Sequence, residues 1–218
     1  MIPLGAFLVV HVAANARALR GDDAFMAAAR AFERIPALGL IEALLVFVPL
    51  AFHSVVGLWL VIARRPLAQP SPYPPGLRIA VRATGVLSLV FLAMHLPELR
   101  FRTPGNRLGG AELLTALAAD LSSTWHGIPW RGAAYLCAAG CVTFHFAAGL
   151  WGFVASTWPG VDPRGRSLRR GAAWAAAALG LSLWLLLTNV VVLHATGAPL
   201  VGTPDRAPAS TEPCPAPQ

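Results

Sequence analysis

Apolar residues run along this chain in long, nearly unbroken stretches, with the polar residues collected between them. A helix crossing the hydrocarbon core of a bilayer needs about 20 mostly apolar residues, and five segments approach or meet that pattern. Segment one runs from the start to about Ala16, and segment two follows Pro36 and ends before Arg64. Segment three lies between about Leu77 and Pro97, where the proline is expected to end or kink the helix. Segment four runs from about Gly132 to Thr157 and segment five from about Gly171 to His194. The pattern predicts an all-α integral membrane bundle of five transmembrane helices over residues 1–196. The tail, 197–218, is rich in Pro, Ala, Ser and Thr without apolar periodicity and is expected to be disordered. Segment one is short for a spanning helix, so residues upstream of Met1 are expected. It lacks a basic leading stretch and is followed by arginines, which separates it from a secretory signal.

Composition sharpens this picture. The chain is 56% hydrophobic and 12% charged, whereas a soluble domain carries about 25% charged residues. Its 17 basic residues outnumber ten acidic ones. They lie between apolar runs rather than along one face, so they read as membrane-flanking groups that meet lipid, and nucleic acid is excluded as a partner. Arg64, Arg65, Arg78 and Arg82 lie between segments two and three without an acid. Arg164, Arg166, Arg169 and Arg170 lie between segments four and five beside Asp162 alone. The opposite loops mix their arginines with Asp22, Asp23 and Glu33, then with Glu98, Glu112 and Asp120. The N-terminus is therefore expected inside. Cys137 and Cys141 sit in an apolar run and Cys214 in the tail, which is no disulfide or zinc framework.

Two short patterns recur in the oily segments. FHSVVGLW (Phe52 to Trp59) and FHFAAGLW (Phe144 to Trp151) share F-H-x-x-x-G-L-W. FLVVH (Phe7 to His11) and FLAMH (Phe91 to His95) share F-L-x-x-H. Segments two and four thus resemble each other, as do segments one and three, and each such pair runs in one direction through the membrane. Ionisable residues at this depth are costly and mark function. The other two histidines, His126 and His194, fall at segment ends and read as interfacial polar residues.

Depth pairs the four buried histidines. His53 and His145 lie just past mid-membrane with the same sense; His95 lies towards the opposite face. His11 matches His95 if segment one extends upstream. Two imidazoles at one depth on neighbouring helices can take both axial positions of a haem iron. Gly57 and Gly149, one helical turn after His53 and His145, share the histidine face and would let a flat macrocycle approach the backbone. The opposing reading is that single histidines bond neighbouring helices and glycines aid packing; the repetition of the motif weighs against it. A Cys137, Cys141, His145 stripe shares one helix face and reads as small residues beside a cofactor.

With VVHVAAN around His11, PLAFHSVVG around His53, VRATG ending at Gly85, MHLPE around His95 and FHFAAGLWGF around His145, the chain resembles a known family. That family is the single-chain, five-helix, two-haem cytochrome b membrane anchor of succinate dehydrogenase and fumarate reductase (complex II). The resemblance implies two bis-histidine b haems and a quinone, usually menaquinone. It also implies a flavoprotein subunit and an iron–sulfur subunit on the cytoplasmic side of a bacterial inner membrane. It assigns His53 and His145 to the haem nearer the iron–sulfur subunit, and His11 and His95 to the distal haem. It places the N-terminus inside and the C-terminus outside.

Three further residues follow. Glu42, in the first turns of segment two on the distal side, is the candidate for proton exchange with quinone; Glu98 is a second. Arg82, at the inner start of segment three, is a candidate partner for a haem propionate. Two other classes remain: a cytochrome b anchor of another dehydrogenase or hydrogenase, and a haem-free transporter with a histidine relay. Polar residues within the segments that would serve such a transporter are Glu42 and Asn189.

Overall fold

The computed structural model describes residues 2–63, 73–101, 110–157 and 163–202. It is built of helices, with no strand among the described residues. Helix α1 (Ile2–Asn15) continues as a tighter 3-10 stretch, Ala16–Arg20. Then come α2 (Asp22–Glu33), α3 (Leu38–Ile62), α4 (Pro75–Arg100), α5 (Gly110–Ser122), α6 (Trp130–Thr157) and α7 (Pro163–Thr196). Helices α1, α3, α4, α6 and α7 are long and apolar enough to cross a membrane. The remaining tail, 203–218, lies outside the described residues, as do Arg64, Arg65 and Asp162.

Proline shapes two of the spans. Proline donates no backbone hydrogen bond, and its ring crowds the carbonyl four residues back. Pro49 in α3 and Pro97 in α4 are each accommodated by one widened π turn, Ala43–Phe47 and Leu96–Arg100. The Phe101 amide closes the second onto the Leu96 carbonyl at 3.0 Å, five residues back. Regular α geometry thus stops at His95, as Pro97 demands, yet the helix runs one turn further, to Arg100.

Helices α2 and α5 fall where the charge pattern predicts loops. Both are amphipathic. Leu113, Leu114, Leu117 and Leu121 recur at helical spacing, and Asp22 and Asp23 favour the positive N-terminal end of α2. Together they cap one end of the bundle. Phe25, Leu117, Ala18 and Leu193 are buried against one another, flanked by Leu19, Leu99, Leu113 and Leu114.

Packing is uneven across the bundle. Helices α6 and α7 make the most extensive contact. A methyl group on Gly180 of α7 would stand 2.7 Å from Ala147 Cβ and 3.3 Å from the Thr143 carbonyl, so glycine is what permits this approach. Helix α3, by contrast, has no buried residue. Beyond α7 the chain turns back. Asn189 Oδ1 accepts from the amides of Leu200 (2.6 Å) and Val201 (3.2 Å), and its Nδ2 donates to the Val201 carbonyl (3.0 Å). Asn189 thus holds the chain's own backbone.

Tyr73, just ahead of α4, clasps α6. Its hydroxyl donates to the Ala148 carbonyl at 2.9 Å, its ring packs on Trp151 with centroids 5.5 Å apart, and it covers Gly152, where any side chain would collide with it. Burial pushes the Tyr73 hydroxyl pKa up. The raised value means that its contribution to stability is complete below the ordinary tyrosine pKa of about 10 and is lost as pH rises through the folded value. Tyr73→Phe is expected to cost about 1 kcal/mol at neutral pH, the net worth of one hydrogen bond. It should also flatten the alkaline fall in unfolding temperature measured in detergent. An alkaline fall of the same size in both proteins would count against this role.

Candidate functional site

Two pairs of histidines meet between the spanning helices. His53 on α3 and His145 on α6 face each other with ring centroids 6.0 Å apart and planes inclined at 68°. His11 on α1 and His95 on α4 do the same at 6.1 Å and 90°. A metal–imidazole bond is about 2 Å long, so two rings that share one metal stand with their centres about 6 Å apart. Both pairs meet that spacing.

The first pair is oriented from α4. His145 Nδ1 lies 3.0 Å from the Val81 carbonyl, which can only accept, so Nδ1 carries the proton and Nε2 is left to face a metal. Gly85, one turn after Val81, makes this possible. A methyl group there would stand 2.8 Å from His145 Cε1 and 3.1 Å from Nδ1. Across the pair, His53 is exposed and nothing lies within 4 Å of where a Gly57 side chain would begin. The space beside Gly57 is open, which leaves room for a flat group against α3. Gly149 is half-buried one turn after His145. Arg82 is exposed and next in sequence to Val81, hence at the level of this pair.

The second pair is held by stacking. Phe7 lies on His11 at 5.4 Å and 28°, and Phe91 lies on His95 at 5.1 Å and 26°. Residues four apart share a helix face, so the F-L-x-x-H repeat encodes a phenylalanine laid flat on each imidazole. Asn15 donates to the His11 carbonyl at 2.8 Å and brings its amide 3.5 Å from His11 Nε2. His95 Nδ1 lies 3.3 Å from the Tyr135 hydroxyl of α6. Along α6, Tyr135 and His145 are ten residues apart, so the pairs are offset by ~15 Å along the membrane normal at a rise of 1.5 Å per residue.

The polar groups near the second pair are matched. Arg100 donates to Glu42 and so ties together the two helices that carry π turns; Phe47 and Phe101 meet beside them with centroids 5.5 Å apart. Arg131 bridges Glu98 at 3.3 Å and Asp120 at 3.5 Å. Glu42, read from sequence either as a buried carboxyl for proton exchange or as an interfacial carboxylate facing water or an arginine, faces a guanidinium.

Four sequence-nominated histidines are thus brought together in two pairs. Gly85, Tyr135 and Arg100, which complete the surroundings, act across helices, so local spacing gave no signal for them. Among the described residues no group of three or more His, Cys, Asp or Glu comes together to hold an ion. Two imidazoles alone suit a metal whose remaining ligands come from a macrocycle, as in haem. Cys137 and Cys141 are free thiols. His126 sits at a tight turn with positive φ (50°), between exposed Trp125 and Ile128, and His194 packs edge-on to Phe25 in the cap.

No protein-family model matches the chain, and no solved structure matches it. The chain is 32% identical over 170 residues to the succinate dehydrogenase cytochrome b558 subunit of Bacillus subtilis (strain 168), covering 78% of this chain and 79% of that protein. Likeness of that extent, in a chain of five apolar spans, shows that it belongs to the family of succinate dehydrogenase cytochrome b subunits, membrane components of an oxidoreductase complex.

Proposed function

We propose that the chain anchors a succinate:quinone oxidoreductase and conducts electrons from its iron–sulfur subunit, through two bis-histidine b haems, to menaquinone or another quinone. The observation that carries this reading is the two imidazole pairs, each at the spacing of a shared metal and offset towards opposite membrane faces. The haems would supply reversible one-electron chemistry.

The chain's own residues supply the rest. His53 and His145 would hold the inner haem, and His11 and His95 the distal haem. Val81 and Gly85 fix the tautomer and seat of the His145 ring. Gly57 and Gly149 keep the helix faces beside the inner pair low, and Arg82, at the same level, offers its guanidinium to a propionate. Glu42 exchanges protons with the quinone at its carboxylate, with Arg100 holding that carboxylate in place. Among the described residues every aspartate and glutamate lies at the capped end, by the second pair, while Arg78, Arg82, Arg166, Arg169 and Arg170 lie at the other. That acid-free end faces the cytoplasm of a bacterium and meets the iron–sulfur subunit, which the flavoprotein subunit feeds. The N-terminus is then inside and the C-terminus outside.

Removing the chain from its host is expected to abolish succinate:quinone reductase activity of the membranes and to leave the flavoprotein and iron–sulfur subunits in the soluble fraction. Membranes that keep both would overturn the proposal. Gly85→Ala is expected to push His145 off Val81 and to remove one of the two low-spin ferric haem signals; two unaltered signals would contradict the role of Val81 and Gly85. Glu42→Gln should lower quinone reduction by about 10²-fold, the low end for general acid–base catalysis, while succinate oxidation with a soluble dye stays at the parent rate. Unchanged quinone reduction would remove Glu42 from the proton step.

A further inference from the structure

Each imidazole must be held at one rotation about its Cβ–Cγ bond if two rings are to share an iron, and that torsion is intrinsically broad for histidine. In the first pair a backbone carbonyl does this for His145. In the second pair the contact from another helix comes from a side chain. Tyr135 of α6 places its hydroxyl 3.3 Å from His95 Nδ1, with ring centroids 5.8 Å apart and planes at 65°. Phe91 closes the group: it stacks on His95 and meets Tyr135 edge to face, with centroids 5.0 Å apart at 89°. The three rings form a closed triangle.

The triangle is itself anchored. Arg131 lies one turn before Tyr135 on α6, and its guanidinium holds Glu98 of α4, three residues past His95, together with Asp120 of α5. These ion pairs pin the end of α6 that carries Tyr135 to the end of α4 that carries His95.

We propose that Tyr135 is a positioning residue for His95: its hydroxyl accepts the Nδ1 proton and sets the plane of the imidazole that the distal haem receives. This rests on reading His11 and His95 as a ligand pair. Partners at this remove from a metal are worth 10–100-fold in metal affinity, and they orient the ligand that the metal sees.

The test is Tyr135→Phe in the full chain within its complex, which keeps the ring contacts to Phe91 and removes the hydroxyl alone. Tyr73→Phe, which deletes the other tyrosine hydroxyl, bonded to Ala148 on the side of the first pair and far along α6 from His95, is the control for the distal haem. The readouts are the low-spin ferric electron paramagnetic resonance signals, which report the relative orientation of the axial imidazole planes, and a redox titration of each haem. Tyr135→Phe is expected to keep two haems per chain, shift one ferric signal and one midpoint potential, and leave the other signal and potential at parent values. The control should leave at parent values the signal and potential that Tyr135→Phe shifts. A parent with two haems whose signals and potentials survive Tyr135→Phe unaltered overturns this inference alone. A parent without haem overturns the ligand reading beneath it.

Discussion

The structure turns on a single requirement: imidazoles placed in hydrocarbon need partners, and here each finds one across the bundle. A polar ring at this depth is costly unless it is paired. His53 and His145 draw α3 towards α6, while His11 and His95 draw α1 towards α4. The other contacts serve these two meetings. Gly85 lets a ring reach a carbonyl, Phe7 and Phe91 flatten against two more, and small residues bring α6 and α7 together as a firm wall. Helix α3 stands apart, without a buried residue and with open space at Gly57, as suits a helix proposed to present a ligand rather than a packing surface.

The two ends of the bundle differ in kind. One is capped by the amphipathic helices α2 and α5 over Phe25, Leu117 and Leu193, and there carboxylates meet guanidiniums in matched groups. Both π turns lie at this end, each relieving a proline, and the Glu42–Arg100 pair joins the helices that contain them. Widened turns of this kind are frequent at functional sites. The other end is basic and carries no acidic residue among those described. An anchor that takes electrons at one face and exchanges protons with a quinone near the other would need this asymmetry.

Much of this was legible from sequence. The five spans followed from apolar run length, and the membrane bundle from composition. The histidine pairing was readable because the two repeated motifs put like residues on helices of like direction. His11 looked too close to mid-span to meet His95. In the structure His11 does sit at the middle of its span, Ile2–Arg20, and its ring nevertheless meets that of His95. Helices α2 and α5 carried a readable periodicity at Leu113, Leu117 and Leu121 that the charges around them obscured. The roles of Gly85, Tyr135, Tyr73 and Arg100 were not legible, because each works on a residue of another helix and no repeated motif links the two.

Each pair of imidazoles is proposed to hold one haem. The measurement that tests it most directly is the haem content of the purified chain, taken with its reduced-minus-oxidised spectrum. Two low-spin b haems per chain are expected. A well-folded chain that binds none, or only one, would contradict it.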